Sequence, residues 1–303
     1  MAHGAVESLD DLPAYYAHVR GTPPPPALLR ELTERYRAIG GRSPLNAITR
    51  SLSARVQSEL DRRHGSDRYR VRVGFKHTAP FVHDVVEGMV GDGTSELLGV
   101  ALAPHYSKFA IEGYQKAVGS ALPPLPGALR FRMVPDWYTE PTFVAFWSDR
   151  VRNALTRLPD SSRAGARVCF TAHSLPESAV SDGDPYPVQL QEGANAIAAR
   201  AGLGPAAFVQ AWQSAGRTGD RWLGPDLRDQ IRWEAQHGAR AMVVAPHGFV
   251  CDHLEILYDI DREARQVAES VGLRLERTEM PNDDPRFAMV VADVVTRWMP
   301  PGS

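Results

Sequence analysis

Two groups of residues in this chain have types and spacing that could do chemistry. Glu255, Asp259 and Glu263 recur every four residues, with Leu254, Leu257 and Tyr258 on the apolar side and His253 at the start. Carboxylates so spaced stack along one helical face and repel by roughly a few tenths of a kcal/mol per pair. Such a face is either a solvated surface or a line that a cation visits. The second group is a set of histidines, His3, His77, His105, His173 and His247, each following an apolar, strand-like run. In open parallel sheets ligands bind outside the carboxyl ends of the strands. A neutral imidazole there can accept a proton or ligate a metal. A lone histidine at such a corner is usually structural, bonded to a nearby carbonyl; several at equivalent ends favour a metal or proton-transfer site lining one crevice.

Other chemistries lack their signatures. Ser174 sits beside His173, but adjacent residues do not bring Oγ against the ring nitrogen, and no Gly-x-Ser-x-Gly elbow occurs. The chain has no His-Glu-x-x-His pair, no Gly-x-Gly-x-x-Gly after a strand and no phosphate-binding Gly-x-x-x-x-Gly-Lys loop. Two cysteines, Cys169 and Cys251, are too few for a disulfide framework or a four-cysteine cluster. A formal net charge of -2 gives no reason to expect nucleic acid. No apolar run approaches the ~20 residues of a membrane span, and no leader is visible at Met1, so a cytoplasmic protein is expected. Arg20, Arg35, Tyr36 and Ser43 lie in early helices and their loops. Each arginine reads either as a surface ion pair of little worth or as a cation suited to carboxylates on a flat ligand.

The elements that must position these residues alternate between strand and helix. With 303 residues there is length for two domains. Helices are expected over 8–19, 27–38 and 45–62, with a proline-forced extension at 23–26. Met1–Gly4 reads as the end of a strand whose beginning is missing. Strands are expected at 69–75, 97–102 and near 129–133, with helices from about 80 and over 107–119. Helix 141–158 is read as the bridge to a second half of strands 167–171, 208–212, 241–245 and 273–275 and helices 184–201, 225–237 and 284–298. Such alternation predicts parallel sheets with helices on both faces. A faint repeat, Ala103-Pro104-His105-Tyr106 against Ala245-Pro246-His247-Gly248, fits two similar halves.

Longer motifs add a resemblance. Thr171-Ala172-His173-Ser174-Leu175-Pro176, Trp212-Gln213-Ser214-Ala215-Gly216, Trp222-Leu223-Gly224-Pro225-Asp226, Gly248 through Asp259, and Tyr36 through Leu45 are similar, in order, to the ferrochelatase family. The compact form without cluster cysteines resembles the soluble Gram-positive-type enzymes that act on coproporphyrin III. This implies two Rossmann-like, doubly wound domains with four-stranded parallel sheets and a porphyrin cleft between them. The first domain is expected over 1–158, completed by the C-terminal helix 284–303, and the second over 159–283.

The resemblance also implies roles. His173 and Glu255 would be the catalytic pair on the metal side of the macrocycle, and Glu255, Asp259 and Glu263 an acidic line passing divalent metal to it. His3, Arg20, Arg35, Tyr36, Ser43 and Tyr114 would contact the porphyrin, with His3 standing where a tyrosine is usual. His247 stands where an aliphatic residue is usual. Trp212, Trp222 and Tyr114 could pack against a ring face. The expected activity is that of a lyase of haem biosynthesis inserting Fe(II), a substrate, into coproporphyrin III, with haem product, no resident cofactor, no iron–sulfur cluster and a monomeric chain. The alternatives are a protoporphyrin IX ferrochelatase, a cobalt or nickel chelatase for another tetrapyrrole, and a haem- or porphyrin-binding chaperone.

Overall fold

The computed structural model describes residues 1–121, 129–216 and 219–301 and divides into two compact units. The first comprises Met1–Trp137, Cys251–His253 and Pro281–Ser303; the second comprises Tyr138–Val250 and Leu254–Met280.

Among the described residues of the first unit, only β1 (Glu96–Gly99) and β2 (Arg130–Met133) form a regular parallel ladder, with Leu97 opposite Phe131. Two further segments extend this layer by single contacts. The Met1 nitrogen donates to Val100 O and Leu102 N to Met1 O. On the other side Ala2 N donates to Gly74 O, and Lys76 N and His77 N to Ala2 O and His3 O. The chain order across the layer is therefore 73–77, 1–3, 97–102, 130–133, with two regular strands where four were expected. The strand expected at 69–75 is replaced by irregular chain. Gln57 reaches from helix Leu45–His64 to accept from Val71 N and donate to Tyr69 O, so these backbone groups bond to a side chain instead of a neighbouring strand. A cavity of about 650 Å³ lies in this unit, lined by Met1, Val56, Val71, Val86, Leu97 and Val291 among others, and by none of the expected site residues.

The second unit is a full four-stranded parallel sheet in the order β4 (Phe208–Gln213), β3 (Arg167–His173), β5 (Ala241–Ala245), β6 (Arg274–Arg277). β3 and β5 are central. Their near-continuous apolar sequences are buried from Val168 to Ala172 and from Ala241 to Ala245, as a sheet covered on both faces requires. Helix Pro141–Arg157, read from the sequence with the first half, lies in this unit. Phe143, Phe146, Trp147 and Val151 are buried, and Ser148 Oγ donates to Val144 O and lies 3.1 Å from Ile197 O of helix Tyr186–Ala201. The C-terminal helix Pro285–Trp298 lies in the first unit.

The turn after β5 needs a glycine for space. A Cβ on Gly248 would lie 2.4 Å from Cβ of Ala172, and Gly248 N donates to Thr171 O. This close approach brings the chain leaving β5 directly against the end of β3. His247 in the same turn is fully buried, its ring edge-on to Phe170 at 5.3 Å, with Nε2 3.1 Å from Leu190 O. That is a core histidine whose polar edge meets a backbone carbonyl. His105 is also buried, at 2% exposure. Both were read from the sequence as candidate crevice residues, and both are buried.

Burial holds His247 below the ordinary histidine value, at about 4. The unfolded chain therefore takes the proton first, and stability falls as pH drops from about 6.5 towards 4, by up to ~3 kcal/mol. His247→Leu should flatten this segment of the pH profile in urea unfolding. Identical pH slopes in wild type and variant would show that His247 does not contribute.

Candidate active site

The second unit brings together His173 and Glu255. β3 ends at His173, and Glu255 opens a π-helix, Glu255–Ala264. The sequence predicted an α-helix here. The wider i→i+5 winding is a form that recurs at functional sites, and the four-residue apolar and acidic spacing cannot distinguish the two.

The ring of His173 is oriented by its own backbone. Nδ1 lies 2.5 Å from Ser174 O. A carbonyl only accepts, so Nδ1 carries the proton and Nε2 the lone pair. Nε2 lies 3.6 Å from Glu255 Oε1, beyond hydrogen-bond range. Both side chains are about one third exposed. A lone pair and a carboxylate oxygen, both acceptors, thus face one another with space between. Such a pair is completed by a cation, either a proton on Nε2 or a metal ion.

Several residues set this distance. Gln213, 2% exposed at the end of β4, accepts from Thr171 Oγ1 at 2.8 Å and donates through Nε2 to Glu255 O at 3.0 Å. Its own carbonyl accepts from Ser174 N. One buried amide therefore ties the end of β3 to the first turn of the π-helix. Ser214 follows with φ of 60°, a left-handed conformation uncommon outside glycine, and its Oγ donates to Asp259 Oδ2 at 2.5 Å. Trp222 stands 6.4 Å from the His173 ring, tilted by 57°. A Cβ on Gly216 would lie 2.4 Å from the Trp222 ring, so glycine leaves room for the indole.

Asp259 and Glu263 lie on the same π-helix as Glu255, and all three are half-buried. They are not a bare solvated face. Ser214 bonds Asp259, and Arg228 Nη1 reaches Glu263 Oε2 at 3.3 Å while its Nε lies 2.8 Å from Asp226. The carboxylates of Asp226, Glu263 and Asp259 raise the Arg228 guanidinium, the hydrogen bond that Arg228 donates to Asp226 most of all. Among the described residues no three His, Cys, Asp or Glu side chains form a ready metal-binding group.

The remaining site residues lie in the first unit. His3 is exposed, with Nδ1 3.1 Å from both Gly4 O and Tyr15 Oη. Arg20, exposed, ends helix Leu12–Arg20. Arg35, on helix Pro26–Ala38, pairs with Glu31 at 3.1 Å. Tyr36 and Ser43 are 2% and 4% exposed, and Ser43 Oγ accepts from Leu45 N at 3.3 Å. Tyr114 is 5% exposed in a core with Val86, Leu97 and Ile111; burial raises its phenol well above the ordinary range. Trp212 is likewise a core residue, 6.1 Å from Tyr186, which leaves Trp222 as the partly exposed aromatic of the three singled out.

Sequence reasoning quoted Gln213 and Ser214 only as part of a motif and assigned them no role. The available signal was a polar pair at the end of an apolar strand that pairs with β3.

A four-stranded parallel sheet with an imidazole and a carboxylate at one edge defines a chelatase-type α/β protein. Solved structures agree on the fold. SirB from Bacillus subtilis with Fe3+ matches with a TM-score of 0.54 at 15% identity, covering 82% of this chain and 89% of that one. A multi-domain protein of Deinococcus radiodurans, described as structurally similar to chelatases, matches with a TM-score of 0.52 at 15% identity over 82% of this chain and 50% of that one. The family model for ferrochelatase matches residues 13–299. The chain is 43% identical over 305 residues to the coproporphyrin III ferrochelatase of Geobacillus kaustophilus, covering 100% of this chain and 96% of the relative. It is 41% identical over 299 residues to that of Bacillus subtilis, covering 98% and 96%. The ferrochelatase of Herpetosiphon aurantiacus is 41% identical over 297 residues, covering 98% and 96%. The chain belongs to the ferrochelatase family, enzymes that insert iron into a porphyrin.

Removing the Gln213 amide leaves Thr171 and the Glu255 carbonyl without it. Gln213→Leu should lose about 1–3 kcal/mol in urea unfolding. It should also lower turnover, by up to ~100-fold if the Glu255 carboxylate shifts by about 1 Å. Turnover at the wild-type level in the destabilised variant would show that Gln213 serves stability alone.

Proposed function

We propose that this chain inserts Fe(II) into coproporphyrin III to give coprohaem, with His173 and Glu255 as the reacting pair. The observation that carries the reading is the 3.6 Å separation of two acceptors, His173 Nε2 and Glu255 Oε1. Metal insertion needs a ligand for the incoming ion and a base for two pyrrole protons. One imidazole lone pair cannot serve both at once, and a carboxylate beside it takes the other role. The Nδ1–H held by Ser174 O leaves Nε2 as the ring nitrogen that binds the ion or takes a proton.

In this reading Glu255, Asp259 and Glu263 pass iron inward along the π-helix, with Arg228 and Ser214 balancing the outer carboxylates while no ion is present. Arg20 and Arg35 hold propionates, for which guanidinium geometry is suited. His3, Tyr36, Ser43 and Tyr114 supply further contacts to the macrocycle, His3 by approaching the metal with its imidazole. A cleft that bends the flat ring exposes its nitrogen lone pairs and lowers the barrier. No resident cofactor takes part, and the chain acts as a monomer in the cytoplasm. Among the described residues no helix is long and apolar enough to cross a membrane.

Support for coproporphyrin III comes from the activities named for relatives that align over nearly the whole chain at 40–43% identity. Coproporphyrin III carries four propionates and protoporphyrin IX two, so more than one or two cationic contacts should matter for the preferred substrate. Anaerobic spectrophotometric assay with Fe(II) should give a kcat/KM for coproporphyrin III at least about tenfold above that for protoporphyrin IX, a difference of ~1.4 kcal/mol in transition-state binding. Equal values, or a preference for protoporphyrin IX, would overturn the substrate assignment. Porphyrin binding with no insertion of any divalent metal would overturn the reaction.

A further inference from the structure

In the first unit, three chain segments converge on a group of imidazoles, of which the reaction above uses His3 and neither His18 nor His77. His18, exposed on helix Leu12–Arg20, places Nδ1 at 2.9 Å from Nδ1 of His77. His77 is half-buried and held by its backbone, whose N–H donates to His3 O. Its ring centroid is 4.4 Å from that of His3. The His18 ring is held in turn, stacked on Phe81 at 5.4 Å and 26°. An exposed histidine would ordinarily turn either nitrogen to water. Here its ring is fixed with Nδ1 against another Nδ1.

The chemistry of that contact is restricted. Each neutral imidazole has one nitrogen that donates and one that accepts. Two Nδ1 atoms in contact therefore share one proton, or else both offer lone pairs to one cation. Two nitrogens each ~2.0–2.1 Å from a common ion lie about 2.9 Å apart at a right angle and about 3.3 Å apart at the tetrahedral angle. The observed 2.9 Å matches the first and needs only a small opening for the second. Burial, and then the neighbouring His3, Lys76 and His18, hold His77 far below the ordinary histidine value, at about 3, so its ring is neutral at physiological pH.

We infer that His18 and His77 form a two-imidazole chelate for a divalent late first-row transition ion, a metal site built from residues of the first unit alone. Imidazole nitrogens without carboxylates favour zinc, nickel and copper over magnesium and calcium, and bind ferrous iron more weakly than any of those three. No third His, Cys, Asp or Glu among the described residues closes the group, so water completes the shell on the exposed His18 side. The ion would staple helix Leu12–Arg20 to the loop that carries His77. The inference stands on first-unit geometry alone and does not depend on the substrate or on the roles of His173 and Glu255.

Zn2+ titration of the chelator-stripped protein by calorimetry, with thermal unfolding followed in parallel, tests it. The wild type should bind one Zn2+ more than His18→Ala, or hold that ion at least ~10-fold more tightly, and His77→Ala should behave like His18→Ala. His18→Phe keeps an aromatic ring on Phe81 while removing both nitrogens, and should lose the ion too. His83→Ala, which alters another exposed histidine, should retain it. Zn2+ should raise Tm in the wild type and in His83→Ala by mass action, and less in the other variants. Equal stoichiometry and affinity in the wild type and His18→Phe would overturn the site and leave the contact an N–H···N hydrogen bond. Zn2+ lost equally from His83→Ala would also overturn it, because the loss would not be specific to the pair.

Discussion

Two acceptors held face to face are the constraint on which the second unit is arranged. His173 Nε2 and Glu255 Oε1 stand 3.6 Å apart, too far to share a hydrogen bond directly. Left to itself, an imidazole a third exposed would rotate to let Nδ1–H meet the carboxylate. The short contact from Nδ1 to Ser174 O prevents this. Two acceptors so placed make a position where positive charge is favoured.

The rest of the sheet holds that separation from three directions. Central strand β3 ends at His173 and is buried from Val168 to Ala172, so its end is fixed by the core. Gly248 lets the chain leaving β5 pass against Ala172 with no Cβ between, which sets where the π-helix begins. Gln213 spans the remaining gap from β4 with a donor to one side and an acceptor to the other. These are backbone-level constraints, and they place His173 and Glu255 on regular elements, the end of a strand and the start of a helix. The outer carboxylates are balanced by groups that can let go, a serine hydroxyl and a half-exposed arginine.

Much of this was legible in the sequence. Apolar runs such as Ala241–Ala245 and Val168–Phe170 announce buried parallel strands, and their alternation with amphipathic helices gives the four strands of the second unit, while the order of those strands in the sheet carries no local mark. His173 and Glu255 were singled out through the long motifs that carry them, and the structure brings the two side chains to 3.6 Å. What was hidden depends on contacts between distant segments. The four-residue spacing of Glu255, Asp259 and Glu263 suits both α and π winding, so the wider helix left no mark. His247 and His173 look alike in sequence, each after an apolar strand. Only the packing of Phe170 and Leu190 makes the first a core residue. Tyr69–Phe75 alternates like a strand, yet Gln57 takes the backbone bonds that a neighbour would have made. The pairing of His18 with His77 spans 59 residues and carries no local signature.

The central claim is that the His173–Glu255 pair performs the insertion step without being needed to hold the porphyrin. It is tested most directly by separating binding from turnover in His173→Ala and Glu255→Gln. Fluorescence quenching would give the Kd for coproporphyrin III, and single-turnover absorbance the rate of Fe(II) insertion. The account predicts Kd within about threefold of wild type in both variants and insertion slower by at least ~100-fold, the low end for an acid–base residue. Near-normal insertion in either variant with porphyrin bound normally would contradict it.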